Sequence, residues 1–365
     1  MKNAKFIPRH MGLALVAAAR PSLHRFADII PASQIVMFAI FLFLFSCSAF
    51  AQSPQDIRAQ VKLVEARALL DQKHIKEAEH AVLQLLENHP DSADAHFLLG
   101  LILFREIQAE SAPGDAYNEP AVSQRKRREE KARASLAEYT EGSKYARPSA
   151  FDLKIVALNY VLFGDYTDAD RWLTLSLKWN PQDSEAWYYL GRAKYNLNRF
   201  EEAVQAFRQC LKLDLRNVKA EDNLGLAYAG LNRVDDATIA FRTAIQWQEG
   251  MADKDAGPFI DLGTVLMDRN RVDEALPILF QAVTVDPEQS KSHELLGKAY
   301  SLLNQLPKAQ AELERAVALA SQTPHLHYML GQVYRKQGLV EKAKQEFDRM
   351  SQLTKNAPSG PESEP

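Results

Sequence analysis

Three clusters in this 365-residue chain carry residue types that could do chemistry. "HELLG", His293 to Gly297, opens like the helix of a zinc hydrolase, in which two histidines four apart on one face hold the metal beside a glutamate base. The second histidine position is filled by Gly297, so the ligand pair is incomplete. His325 and His327 lie two apart, which on a helix sends them to different faces and away from a shared metal. The basic run Gln124 to Arg133, "QRKRREEKAR", could meet an anionic surface. Glu129 and Glu130 interrupt it, and no aromatic residues interleave for base stacking, so it reads as a solvated helix-starting stretch rather than a nucleic-acid patch. No Gly-x-Ser-x-Gly elbow, Gly-x-Gly-x-x-Gly loop or Walker phosphate loop occurs. These absences read as a protein without an enzyme's catalytic centre, metal or cofactor, and they turn attention to the elements themselves.

Those elements repeat. In "AWYYLGRAKYNLNRFEEAVQAF", Ala186 to Phe207, Trp187, Leu190 and Gly191 sit at helical spacing. Ala203, Phe207 and Cys210 recur at i, i+4 and i+7 on a second helix, with "NLNR", Asn196 to Arg199, as the turn between them. A looser copy begins at Ala220, with Leu224, Gly225, Tyr228, Ala237, Phe241 and Ala244 in register. The frame continues forward through Leu262 and Gly263, Leu296 and Gly297, and Leu330 and Gly331. Backward it runs through Leu153 and Leu173 to Ala66, Ala78 and Val82. The physical sense is a pair of antiparallel helices whose backbones meet where Gly or Ala removes bulk, while larger residues fill the flanking grooves.

This pattern resembles the tetratricopeptide repeat: a bulky residue, Leu-Gly, an aromatic, then Ala, an aromatic or aliphatic, Ala, and a closing Pro such as Pro181 or Pro287. The resemblance implies an all-α fold, an α-solenoid in which helix-turn-helix repeats wind into a right-handed superhelix. Six repeats are expected over residues 146–354, at 150–183, 184–217, 218–251, 256–289, 290–323 and 324–354, with extra residues from Gln248 to Gly257 lengthening one inter-repeat turn. Residues 52–145 are expected to hold two more, the second interrupted by a Pro-, Gly- and Asn-containing loop at about 106–128. Residues 355–365, "KNAPSGPESEP", lack an apolar face and read as a disordered tail.

The same resemblance implies a concave groove lined by first helices and suited to a protein or peptide partner. Carried onto this chain, the groove positions include Lys154, Tyr188, Tyr189, Arg192, Tyr195, Lys219 and Asn223, with Glu185, Leu158, Asp222 and Leu226 beside them. Three tyrosines around one arginine make an amphipathic contact surface of the kind that anchors interfaces. Two specialised subtypes are not matched. The carboxylate clamp of the family finds Lys154 and Lys219, but Leu158 and Tyr189 stand where it needs asparagines and Asn223 where it needs arginine. The asparagine ladder of sugar-transferase repeats is missing, since Asn223 stands alone.

The N-terminus reads as an export leader, residues 1–51. Lys2, Lys5, Arg9, Arg20 and Arg25 precede the apolar run Ile35 to Phe45, and Ala49 and Ala51 supply the small side chains a signal peptidase needs before Gln52. Met11 and Met37 are alternative starts. An uncleaved anchor is the competing reading, although Ile35 to Ala51 falls short of the ~20 apolar residues that a spanning helix prefers. "LFSC", Leu44 to Cys47, offers a third reading, a lipoprotein processed at Cys47. Cleavage after Ala51 leaves Cys210 as the single cysteine, a buried inert thiol that can form no internal disulfide. The chain's net charge is −3 and nothing in it recommends nucleic acid as a partner. The sequence thus describes an exported scaffold or adaptor, periplasmic or secreted, that touches a membrane only through its N-terminal segment if that segment is uncleaved. A lipid-anchored assembly factor and a membrane-anchored accessory subunit of an enzyme complex are the alternatives.

Overall fold

Hairpin follows hairpin along the computed structural model, which describes residues 54–110 and 121–356. Ala49, Ala51 and Cys47 of the expected leader lie outside the described residues, as do residues 357–365 of the expected tail. Two compact units are distinguished, residues 1–61 and 62–365. Of the first, the described part is the opening of α1 (Pro54–Asp71). The second holds the rest: α2 (Ile75–Asn88), α3 (Ala93–Ala109), α4 (Ala121–Gly142), α5 (Ala150–Phe163), α6 (Tyr166–Trp179), α7 (Ser184–Asn196) and α8 (Phe200–Leu213). It continues through α9 (Val218–Gly230), α10 (Val234–Trp247), α11 (Gly257–Asp268), α12 (Val272–Val285), α13 (Ser290–Leu302), α14 (Leu306–Leu319), α15 (Pro324–Lys336) and α16 (Val340–Asn356). Among the described residues there is no strand, and no helix is long and apolar enough to cross a membrane.

Local chemistry sets the helix ends. Ser92, Ser149, Asp183 and Asn217 cap α3, α5, α7 and α9 by accepting a backbone N–H of the first turn, and Ser149 closes a full capping box with Asp152. Within the hairpins the turn needs one left-handed residue. Asn198, Asn232, Asn270 and Asn304 supply it at φ of 57 to 58°, where asparagine is the non-glycine residue best tolerated, and Gly164 and Gly338 fill the same place in two others.

Packing joins the two helices of each hairpin at a single close approach. A Cβ built on Gly191 would lie 2.5 Å from the Phe207 ring, one on Gly225 2.5 Å from Phe241, and one on Gly331 2.7 Å from Phe347. Leu279 and Leu313 take the ring's place opposite Gly263 and Gly297. Phe207, Phe241, Leu279 and Leu313 are completely buried, so the knob has nowhere to retreat.

A second recurrent device ties four of the first helices to the turn before them. The residue at the fourth position reaches back to a backbone carbonyl: Trp187 to Pro181 at 2.9 Å, His96 to Pro90 at 2.9 Å, His293 to Pro287 at 3.0 Å and His327 to Ser321 at 3.0 Å. In the three histidines the other ring nitrogen meets a glutamate of the paired helix, Glu138, Glu312 or Glu346. Burial opposes the charge on His96, but Glu138, the Pro90 carbonyl and Glu141 outweigh it and raise its pKa. His293 and His327 are therefore clasps of the framework.

First helices of successive hairpins touch one another, α3 with α5, α5 with α7, α7 with α9, α9 with α11, α11 with α13 and α13 with α15. Among the described residues no second helix packs backbone to backbone against the next second helix; α10 and α12 are linked only at their surfaces, by Arg242 and Glu274 at 3.9 Å. The stack therefore curves toward its first helices, and these line the inner face of an α-solenoid.

Helix extends beyond the expected limits in two places. Instead of a loop over 106–128, α3 runs to Ala109 and α4 already begins at Ala121. Ion pairs between Arg125 and Glu129 and between Lys126 and Glu130 lie along one helical face, and Lys131 bridges to both Glu106 and Glu110 of α3. The charge run thus splints the second hairpin. At the other end, α16 carries helix through Asn356, past the expected start of the tail.

Gly191→Ala tests the close approach directly. Helix propensity favours alanine by about 1 kcal/mol, whereas forcing a methyl group into a filled core costs about 1–3 kcal/mol. The contact with Phe207 decides the sign, and the variant should unfold at lower urea than the wild type. An unchanged or higher midpoint would show that the helices do not need a bare backbone there.

Candidate inner-face binding site

The inner face is most developed where α7 meets α9. A cavity of about 320 Å³ opens there, lined by Ser184, Glu185, Tyr188, Tyr189, Arg192, Asp214, Asn217 and Lys219. Four of the seven groove residues expected from sequence, Tyr188, Tyr189, Arg192 and Lys219, are thus brought to one place. Helical spacing puts Tyr188, Tyr189 and Arg192 on one side of α7. The two rings meet edge to face at 5.2 Å, and the Arg192 guanidinium stands 5.9 Å from the Tyr188 ring centre. Both tyrosines are partly buried, Tyr188 resting on Phe207, so they present rigid surface rather than mobile side chains.

The other three groove residues sit outside this cavity's lining. Lys154 is buried, with its ammonium 2.9 Å from Asp183 and 2.8 Å from Glu185. Burial disfavours its charge, and the two carboxylates overcome that and raise its pKa, so it works as a tie between α5 and the start of α7. Asn223 donates its side-chain amide to the Lys219 carbonyl one turn back. Tyr195 stacks edge to face on Phe200 at 5.5 Å, farther along α7. Cys210 is fully buried, and burial with Asp214 pushes its thiol up to about 11, far from a reactive thiolate.

One group of groove residues is not legible from the repeat pattern. Asp222 of α9 is only 9% exposed, and its Oδ1 is buried without a hydrogen-bond partner. Asp261 of α11 and Asp255 of the preceding turn are its charged neighbours. The lengthened turn places Asp255. The buried Gln248 side chain grips the Asp255 backbone at both N–H and carbonyl, and the Asp255 carboxylate accepts the Gly257 N–H at 2.8 Å. Burial, then repulsion from Asp261 and Asp255, pushes Asp222 up to about 8. Burial, then Asp255, pushes Asp261 up to about 6. The only sequence signal was Asp222's place among the groove positions; the cluster needs the turn to bring Asp255 back.

A broader hollow of about 1060 Å³ lies toward the N-terminal hairpins, with Leu70, Phe97, Leu98, Leu101 and Phe151 beneath a rim that includes Arg67, Arg105, Asp94 and Asp152. Among the described residues, no group of three or more His, Cys, Asp or Glu side chains is placed to hold a metal ion.

Comparison with known proteins agrees with this architecture. Four family models, each described as tetratricopeptide repeat, match residues 63–126, 184–217, 266–332 and 324–355. No curated protein sequence matches the chain. Among solved structures, PilW, described as a widely conserved type IV pilus biogenesis factor, is 18% identical over 59% of this chain and 97% of its own, with a TM-score of 0.50. The Cut9-Hcn1 hetero-tetramer of APC/C is 15% identical over 85% of this chain and 56% of that one, at 0.51. YrrB, described as a TPR protein with an unusual peptide-binding site, is 21% identical over 51% of this chain and 93% of its own, at 0.41. At such identities the likeness is one of fold.

The unpartnered carboxylate leads to a pH dependence. A carboxyl group raised in the folded state above its unfolded value holds its proton more tightly when folded, so the fold loses stability as pH climbs from the unfolded pKa to the folded one. Asp222→Asn removes that liability without changing shape. The variant should match wild type near pH ~4 and become progressively the more stable of the two up to about pH 8. Thermal melts across that range check it, and a constant difference would mean that Asp222 ionises freely in the fold.

Proposed function

The chain belongs to the tetratricopeptide-repeat family, and from that premise we propose that it is a non-catalytic scaffold that captures a peptide segment of a partner protein on its inner face. The observation that carries the reading is the clustering of Tyr188, Tyr189, Arg192 and Lys219 around one cavity between α7 and α9. Rigid aromatic surface beside a guanidinium is the combination that concentrates binding energy, because little side-chain entropy is lost on contact. Lysine and arginine of the charge run in α4 are engaged with Glu106, Glu110, Glu129 and Glu130, which argues against an anionic polymer at that face. The partner is therefore a protein, and the groove, rather than any chemical step, is the working part.

The proposal extends to location. The basic leader, the apolar run and the small residues Ala49 and Ala51 support export, with cleavage before Gln52. Mass spectrometry of the mature protein should find Gln52 at its N-terminus. An intact leader would favour the membrane-anchored alternative, and a lipidated Cys47 the lipoprotein one.

Selection of random displayed peptides on the purified chain tests the groove. Binders should be recovered, and Tyr189→Ala with Arg192→Ala should weaken them by about thirtyfold or more, the loss of one interface anchor of ~2 kcal/mol. Arg242→Ala, on the second helix α10, should leave them unchanged. Binders indifferent to Tyr189 and Arg192, or none at all, would remove this site from the protein's function.

A further inference from the structure

The inner face holds a second, chemically opposite place beside the tyrosine cavity. Asp222 sits on the first helix α9, which touches α7 on one side and α11 on the other, and its carboxyl group is within electrostatic reach of Tyr188 of α7 and Asp261 of α11. A Cβ built on Gly257 would lie 3.7 Å from Asp222 Oδ2, which fixes the carboxylate against the start of α11. Asp261 is partly exposed, Asp255 is exposed, and Tyr195 lies within electrostatic reach of Asp261. The depth is therefore graded, from a buried floor at Asp222 to an open mouth at Asp255.

These carboxyl groups have no counter-charge. Among the described residues no lysine, arginine or histidine forms an ion pair with Asp222, Asp255 or Asp261. The other buried acidic groups among the described residues have ion-pair partners: Asp170 is met by Lys194 at 2.8 Å and Arg199 at 2.7 Å, and Glu106 by Lys76 and Lys131. Among the described residues Glu106 Oε1 and Asp222 Oδ1 are the buried carboxylate oxygens without a hydrogen bond; Glu106 Oε1 has the Lys76 ammonium beside it, whereas Asp222 has no ion pair and two further carboxylates nearby. A folded protein that leaves a buried carboxyl group without a partner loses stability as that group ionises, and such costs collect where a ligand will later supply the missing partner. The lengthened turn supports this, because Gln248 is spent on holding Asp255 in place beside the other two.

Resting on the groove reading above, we infer that the space between α9 and α11 receives one cationic side chain, lysine or arginine, of the bound peptide, with Asp222 at the floor, Asp261 and Asp255 at the mouth, and Tyr188 and Tyr195 flanking. An ammonium or guanidinium brings donors for the orphaned oxygen and charge for all three carboxylates. The neighbouring rings favour the same cation through their electron-rich faces. Arg192 and Lys219 line the tyrosine cavity, so the groove offers its peptide basic groups there and acidic groups in the neighbouring space. That polarity fixes the direction in which the segment lies.

The same peptide selection, carried out on the full chain, tests this with different readouts. Recovered binders should share a lysine or arginine at one register position. Replacing it by norleucine, which keeps the aliphatic stem and removes the charge, should weaken binding to the wild type by about thirtyfold or more, as expected when a desolvated charge loses its partner. On the Asp222→Asn, Asp261→Asn double variant, the same replacement should change affinity by less than about threefold, because the charges that recognised the cation are gone. The double variant removes two unpaired carboxylates and should fold at least as well as the wild type, which circular dichroism and a thermal melt verify. Binders that need Tyr189 and Arg192 but share no cation, or a norleucine effect equal in both proteins, would overturn the cation site and leave the groove standing. Failure to recover any binder would overturn both.

Discussion

Everything in this solenoid depends on how closely two antiparallel backbones approach at one point in each hairpin. At Gly191, Gly225 and Gly331 the missing side chain is replaced by a phenylalanine ring from the partner helix, and at Gly263 and Gly297 by a leucine. That contact does more than fill space. It fixes the roll of each first helix about its axis, and the roll decides which residues face inward. Three and four residues are the helical neighbours of any position. Once Gly191 is pinned against Phe207, Tyr188 is therefore drawn toward the same ring while Tyr189 and Arg192 turn toward the cavity. The site is a by-product of the lock.

Curvature follows from the same geometry. First helices approach their successors backbone to backbone and, among the described residues, second helices do not, so the inner face is close-set and the outer face is spread. On a close-set face, groups from three hairpins can meet, which is how Tyr188, Asp222 and Asp261 become neighbours although each belongs to a different repeat. The histidine and tryptophan clasps at the fourth position steady this arrangement, since each anchors a first helix to the turn before it. His293, which opens a would-be metal motif in the sequence, is one of these clasps.

The fold was legible because its determinants are local and repeated. The Leu-Gly pair and the Ala and Phe positions recur in register, the turn asparagines take the left-handed conformation, and helix pairing is dictated by neighbours in sequence. The helical boundary around 106–128 was less legible. Its polar composition suggested a loop, but i, i+4 charge pairs and the grip of Lys131 on Glu106 and Glu110 carry helix from Ala121 onward. Propensity is a weak guide where tertiary ion pairs stand behind it. Of the groove residues, Tyr188, Tyr189, Arg192 and Lys219 came together as the register required. Lys154 shares that register and serves another end, because Asp183 and Glu185 happen to lie within its reach.

The acidic group shows where repeat logic stops. A consensus position reports that a residue faces inward; it does not report what will be missing when it gets there. Asp222 differs from Asp170 only in its surroundings: both are buried, but Lys194 and Arg199 stand beside one and two more carboxylates beside the other. The difference arises from the turn between α10 and α11, the one segment in that stretch that breaks the 34-residue period. Extra residues there leave the hairpin frame intact and bring Asp255 back under the grip of Gln248. A solenoid can change what it binds by altering a turn, since the helices already hold the inner face in place and a turn need only deliver one more charge to it.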